Sequence, residues 1–293
     1  MMLKQNAINL TAKKLFRLAL WASTSKLKGM RHFLSVLVAA FVFATWSGCA
    51  TGSSGGSKPM TVMTYNIHHA EGTDGVLDLE RIARIIREQK PDLVALQEVD
   101  DSAARSGRVA QSAELGRLTG MYAVFGKAMD FQGGAYGQAI LSRWKIKDHQ
   151  VHQLPQRVGR EPRILLVTAI EAPMGVITFA SVHLDHEIEE IRLQQAAAVN
   201  HRFAAGDTPS LKILAGDFNA GPDSGTMKAF AGDWLDSAEN AGFTIPAGNP
   251  RRRIDYILAT PKSAWRAVRS EVLNEPVASD HRPVVAQIEW MKR

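Results

Sequence analysis

Ile213-Leu214-Ala215-Gly216-Asp217-Phe218-Asn219-Ala220 is an apolar run that ends abruptly in a carboxylate and a carboxamide two residues apart. Residues 211–215 read as a buried strand and Gly216 as the point where the backbone turns, which presents Asp217 and Asn219 at the strand's C-terminal end. Open α/β sheets place their chemistry there. Alternate residues of an extended segment share a face, so an acceptor and an amide donor can converge on one ligand oxygen or one water.

Working outward, the same pattern recurs. Residues 61–67 alternate and deliver Asn66, His68 and His69 at a strand end. Leu79, Ile82, Ile85 and Ile86 have helical spacing, with Asp78 as N-cap and Pro91 as stop. Residues 92–96 then read as a buried strand ending in Gln97-Glu98. Strand, helix, strand implies a right-handed parallel crossover, which brings Asn66 and Glu98 to one sheet edge. Residues 112–119 read as a short helix closed by Gly120. Strands are expected at 122–126, 137–142, 145–152, 163–171 and 176–184, the last two joined by a Pro173-Met174-Gly175 turn. A long helix over 187–204 precedes the opening stretch, with Ile188, Ile191, Val199 and Phe203 on its inner face. A short helix over 225–230 and strands at 253–259, 265–272 and 284–290 follow it. Hairpins mixed with crossovers imply an α/β chain of two mixed sheets packed face to face, with helices outside. No internal repeat is visible.

The 293 residues carry a formal charge of +6, which suggests a polyanion until its location is considered. Seven of the 35 basic residues and none of the acidic ones fall in residues 1–48, leaving 28 basic against 29 acidic, a net of −1, in the rest. The basicity belongs to a leader and argues for no nucleic-acid substrate. Phe33 to Trp46 is too short for a comfortable membrane span but suits a signal-peptide core. Trp46-Ser47-Gly48-Cys49 resembles the bacterial lipoprotein box, which implies cleavage before Cys49 and lipidation of its thiol. A buried thiol or an ordinary secretory peptide are the alternatives. With one cysteine, no disulfide forms within the chain. The expected organisation is a leader over 1–48, in which Met30 is a candidate start, a lipidated Cys49 with a Gly/Ser tether over 49–59, and a globular body over 60–293. A flexible tether of roughly ten residues reaches about 17 Å, which holds the body just off a membrane.

The polar strand ends are Asn66, Glu98, His183 with Asp185, Asp217 with Asn219, Asp255, and Asp280 with His281. Any one of them alone reads better as a turn former or a helix cap. Together they differ, because carboxylates gathered at one sheet edge repel and need a cation. Thr64-Tyr65-Asn66, Leu96-Gln97-Glu98-Val99, Gly137 to Arg143, Ser181-Val182-His183-Leu184, Gly216-Asp217-Phe218-Asn219, Ile254-Asp255-Tyr256-Ile257 and Ser279-Asp280-His281-Arg282-Pro283 resemble the endonuclease/exonuclease/phosphatase family, in its motif order and across the whole body. The resemblance implies a four-layered α/β sandwich and metal-dependent phosphoester hydrolysis. Hard cations take oxygen donors, so Glu98, with Asn66 and Asp280 beside it, is expected to hold Mg2+ or Mn2+. Asp217 is expected to orient or deprotonate the attacking water and Asn219 to position it or the phosphate. His281 is expected at the phosphoryl oxygen or as acid/base, its ring held by Asp255, with His183 on the phosphate side. Whether Asp217 or His281 takes the proton stays open. Zinc wants three or four nitrogen or sulfur ligands; the metal-side positions here are oxygen donors, so His69 and His186 are expected in a supporting ring or at the surface.

The substrate is less legible. Arginines at 105, 108, 157, 160, 163 and 251–253 suit phosphate, and Arg163 is the one expected to enter the site; for the others solvated loop positions are the plainer reading. Gln138 stands where the family often has Asn. The opening segment is similar to bacterial envelope members of the family whose wider relatives handle lipid headgroups. The expected function is a phosphodiesterase anchored at the cell envelope by its lipidated N-terminus, facing periplasm or exterior, acting on a lipid headgroup, nucleic acid or small phosphoester. A secreted or periplasmic deoxyribonuclease and a silent phosphate-binding module are the alternatives. No protein partner or oligomeric state is readable.

Overall fold

The computed structural model describes residues 58–204 and 211–291. The expected leader, Cys49 and most of the tether lie outside the described residues. In chain order the strands are β1 (Met60–Asn66), β2 (Leu93–Asp101), β3 (Tyr122–Phe131), β4 (Gly134–Ser142), β5 (Ile146–Gln153), β6 (Ile164–Ala172), β7 (Gly175–His183), β8 (Leu211–Asp217), β9 (Leu235–Asp236), β10 (Asp255–Thr260), β11 (Trp265–Val272) and β12 (Val284–Trp290). The helices are α1 (Leu79–Gln89), α2 (Gln111–Thr119), α3 (Glu189–Ala204) and α4 (Gly225–Lys228).

They build two six-stranded sheets, ordered β11-β12-β1-β2-β4-β3 and β5-β6-β7-β8-β10-β9. In each sheet the central pair is parallel, β1 with β2 and β7 with β8, and every other pairing is antiparallel. A parallel pair needs a crossover, and α1 and α3 supply them. The period-2 alternation of strands then sorts side chains into layers. Met60, Val62, Leu93, Ala95, Phe179, Ile213 and Ile257 fill the space between the sheets. Met63, Tyr65, Val94 and Leu96 point the other way, onto Ile82, Ile86 and Leu115 of α1 and α2. Ala180, Val182, Leu214 and Tyr256 meet Val199 and Phe203 of α3 on the far side. Helix, sheet, sheet, helix is the expected four-layered sandwich.

Several boundaries differ from the sequence reading for local reasons. Helix α1 is the exception and keeps its expected bounds: it starts where Asp78 accepts a bond from the Arg81 amide and ends at left-handed Lys90, as its caps require. Helix α3 begins two residues later than expected because the Asp185 carboxylate holds the amides of Glu187 and Ile188 in a turn. Strands β3 and β4 extend into a hairpin through Gln132 and Gly133, both left-handed. The two-residue β9 is too short to show any period.

Between the sheets a buried polar chain interrupts the apolar filling. Thr64 Oγ1 donates to Gln97 Oε1 at 3.3 Å, Gln97 Nε2 donates to Ser181 Oγ at 3.1 Å, and Ser181 Oγ donates to Gln138 Oε1 at 2.7 Å. Gln138 Nε2 then donates to the Ile164 carbonyl at 3.0 Å. The chain passes from one sheet to the other and back, beside the strand ends that carry the candidate site.

Candidate active site

The alternation that puts Val62, Phe179, Ile213 and Ile257 between the sheets also turns Asn66, His183, Asp217 and Asp255 inward, at the ends of β1, β7, β8 and β10. Register does the rest: Asp217 pairs with His183 on one side and with Asp255 on the other. Glu98 reaches the same place by a different route. The ladder between β2 and β4 shifts between Gln97 and Val99, and Glu98 there adopts a left-handed backbone with φ 57°. For a residue other than glycine such a conformation costs about 1–3 kcal/mol and is retained where a side chain must be re-aimed.

Asn66 Nδ2 donates to Glu98 Oε1 at 2.9 Å and to Asp217 Oδ2 at 3.2 Å, so one carboxamide ties together two carboxylates from different sheets. The ring Nε2 atoms of His183 and His281 lie 3.6 and 3.7 Å from the same Asp217 oxygen. His281 Nδ1 donates to Asp255, 3.0 Å from Oδ2 and 3.2 Å from Oδ1. Arg163, buried, donates from Nη1 to His183 Nδ1 at 2.8 Å and to Glu161 at 2.7 Å. A guanidinium can only donate. His183 Nδ1 therefore accepts, and the hydrogen of this ring sits on Nε2, aimed at the site.

The two histidines are driven apart electrostatically. Burial, then the positive charge of Arg163, hold His183 well below the ordinary histidine range, so it is neutral. Burial pulls His281 down too, but the carboxylates of Asp255 and Asp217 outweigh it and raise its pKa to about 10, so it is an imidazolium. Asp217 is raised by burial to about 7 against the counter-pull of His281, which makes it a carboxylate poised near neutrality.

Other expected positions fall differently. Asn219 does not share an extended face with Asp217: its backbone is left-handed, φ 49°, its amide N–H donates to Asp217 Oδ1, and its side-chain Nδ2 is engaged by the Leu184 carbonyl. Its backbone amide fixes Asp217, and its carboxamide is anchored to β7's end through one N–H. Asp280 accepts from Ser279 Oγ, which also donates to the Asn66 carbonyl, so Asp280 stands beside Asn66. Asp185 is a cap for the turn into α3. His186 is exposed and touches Arg163, whereas His69 is buried, folded back by a left-handed turn against His68 and Glu98. Arg105 is bound at both ends of the Asp100 carboxylate and stacked on Phe131, and Arg253 is held by Asp236 and the Ala238 carbonyl; both serve the frame. Sequence reasoning missed Glu161, which steadies Arg163, and Tyr136, whose hydroxyl meets Glu161. Neither ends an apolar run, so neither gives a signal of that kind.

Glu98, Asp217 and Asn66 bring oxygen-bearing groups to one mouth, and Glu98 takes part in no ion pair among the described residues. Such a set fits a hard divalent cation.

The pattern of the endonuclease/exonuclease/phosphatase family matches residues 63–281. Among solved structures, an endonuclease/exonuclease/phosphatase of Beutenbergia cavernae is 28% identical over 80% of this chain and 72% of its own, with a TM-score of 0.69. A Bacteroides thetaiotaomicron mannosyl-6-phosphatase is 21% identical over 78% of this chain and 99% of its own, TM-score 0.66. The human Nocturnin catalytic domain, with a bound sulfate anion, is 21% identical over 79% and 94%, TM-score 0.64. Fold, motif order and the convergence of Asn66, Glu98, Asp217 and His281 agree, and the chain belongs to the endonuclease/exonuclease/phosphatase family of hydrolases.

Proposed function

We propose that the protein is a divalent-metal-dependent phosphodiesterase working at the cell envelope. The observation that carries this reading is Asp217, a buried carboxylate flanked by one neutral and one charged histidine and tied through Asn66 to Glu98. His281, protonated on both nitrogens, has no lone pair to act as a base. Asp217 in its ionised form therefore takes the proton of the attacking water. The Nε2–H groups of His281 and His183 then donate to phosphoryl or leaving oxygens. Asp255 and Arg163 act through those rings, one holding the charge of His281 and the other the tautomer of His183. Glu98, with Asn66 and Asp280 beside it, would hold Mg2+ or Mn2+, which neutralises phosphoryl charge and acidifies water when bound.

The globular body's near-zero net charge offers no field for tracking a polyanion, which favours a small phosphodiester such as a lipid headgroup over duplex DNA. The apolar run from Phe33 to Trp46 and the single Cys49 support an envelope anchor. Likeness to a mannosyl-6-phosphatase adds sugar phosphates to the substrates worth assaying.

The test is hydrolysis of bis(p-nitrophenyl) phosphate with Mg2+, Mn2+, Ca2+ or EDTA, alongside Glu98→Ala and His281→Ala. Turnover should require metal, stop with EDTA, return on adding Mg2+ or Mn2+, and vanish in both variants. Phospholipids, sugar phosphates, RNA and plasmid DNA then separate the substrate classes. A folded protein inert on all of them, with every metal, overturns the reading. Membrane fractionation of wild type and Cys49→Ser tests the anchor.

A further inference from the structure

Beside the site, residues His68, His69 and Ala70 form a turn in which three successive non-glycine residues are left-handed, with φ of 44°, 45° and 65°. Such runs are avoided by L-residues, and here the turn stacks the two imidazoles edge to face, with ring centres 4.5 Å apart. Glu71 sets the proton of each. Its carbonyl accepts from His68 Nδ1 at 3.1 Å, and its carboxylate accepts from His69 Nε2 at 3.2 Å. The lone pairs are left on His68 Nε2 and His69 Nδ1. His69 is 6% exposed, and its Nδ1 is buried without a hydrogen-bond partner. One donor atom from each of His68, His69 and Glu98 lies within 4.8 Å of the others.

We propose that His68, His69 and Glu98 bind a nitrogen-preferring divalent ion of the Zn2+ class. Two imidazoles and one carboxylate are a donor set that such ions take in preference to Mg2+, with positions left open for water or substrate. An acceptor on the far nitrogen of each ligating imidazole is the usual support of a metal site, and Glu71 supplies both. The backbone holds the pair from two further sides: Gln111 Nε2 donates to the His69 carbonyl at 2.7 Å, and the His68 amide donates to Asn66 Oδ1 at 3.1 Å. Arg105, whose positive charge bears on His69, is already matched by Asp100 through two bonds of 2.8 Å. Glu98 is common to this position and to the oxygen-lined one beside Asn66, so the sites adjoin. The assignment rests on the nitrogen geometry and stands apart from the hydrolytic reading.

Co2+ is the probe, because nitrogen ligation in a site of low coordination number gives it intense visible ligand-field bands. Titrated into the protein in excess Mg2+, Co2+ should produce those bands at one equivalent, and Zn2+ should bleach them. The double variant His68→Ala/His69→Ala should lose them. Glu71→Ala, a change at a half-exposed residue, should weaken Co2+ binding by roughly 10- to 100-fold. His149→Ala, at an exposed position on β5, should behave as wild type. If the double variant fails to fold by circular dichroism, His68→Ala and Glu71→Ala decide. No bands in wild type, bands removed by Mg2+, or unchanged affinity in the histidine or Glu71 variants would overturn the site. The readout is spectroscopic, so its failure leaves the hydrolysis assay untouched, and the converse holds.

Discussion

Asp217 and His281 are an acid and a base whose ordinary roles have been exchanged, the carboxylate's by burial and the imidazole's by the carboxylates of Asp255 and Asp217 that outweigh its burial. At neutral pH the carboxylate is near its midpoint and the imidazole keeps its proton. In the proposed hydrolysis the ionised form of Asp217 is the active one and His281 is charged, so kcat/KM should rise with pH through about 7 and fall near 10. Asp255→Asn removes a carboxylate that raises both His281 and Asp217, so both limbs should move to lower pH. A pH–rate profile of both proteins checks this. Asp217→Asn should lower kcat by roughly 10²- to 10⁴-fold, the usual worth of a general base. The residue types were legible in the sequence because each interrupts an apolar strand at its end. Their protonation states were not. The tautomer of His183 depends on Arg163, twenty residues away in sequence, and the left-handed turns at Glu98 and Asn219 leave no trace in a period-2 pattern.

At the scale of elements, α1 and β8 were readable from caps and from apolar length. Asp78 accepts the Arg81 amide at 2.8 Å, and Asp78→Ala should cost about 1 kcal/mol in urea unfolding. Gly216 was read as a turning point, yet it lies inside β8 opposite Val182. Its role is close approach: a Cβ there would sit 1.9 Å from the Val182 carbonyl oxygen. Neither strand can retreat without disturbing the register that pairs His183 with Asp217. Gly216→Ala should therefore destabilise by about 3 kcal/mol, the upper end for an overfilled core, and lower kcat as well. Thermal unfolding and steady-state kinetics on one preparation would show both. The bulge after Gln97 was hidden, because an extra residue in a ladder is a relation between two strands and belongs to neither alone.

In the whole molecule, the site is divided between sheets: Asn66, Glu98 and His281 flank or lie in one, and His183, Asp217 and Asp255 belong to the other. The Thr64-Gln97-Ser181-Gln138 chain joins them. Ser181→Ala strips a donor from Gln138 and an acceptor from Gln97, which should cost about 1–3 kcal/mol and slow turnover several-fold with little change in KM. Layering and helix placement were legible from alternation and from the β-α-β spacing. The shared order of pairings in the two sheets was not, since it rests on hydrogen bonding rather than on any repeated motif. That order also governs timing during synthesis. Strand β12 is the last strand among the described residues, yet it sits inside its sheet between β11 and β1, and the His281 segment leads directly into it. A nascent chain carries nearly all the other parts of the active site before it gains this imidazolium. Until β12 pairs with β1, the segment that carries His281 has no fixed place beside Asp217 and Asp255.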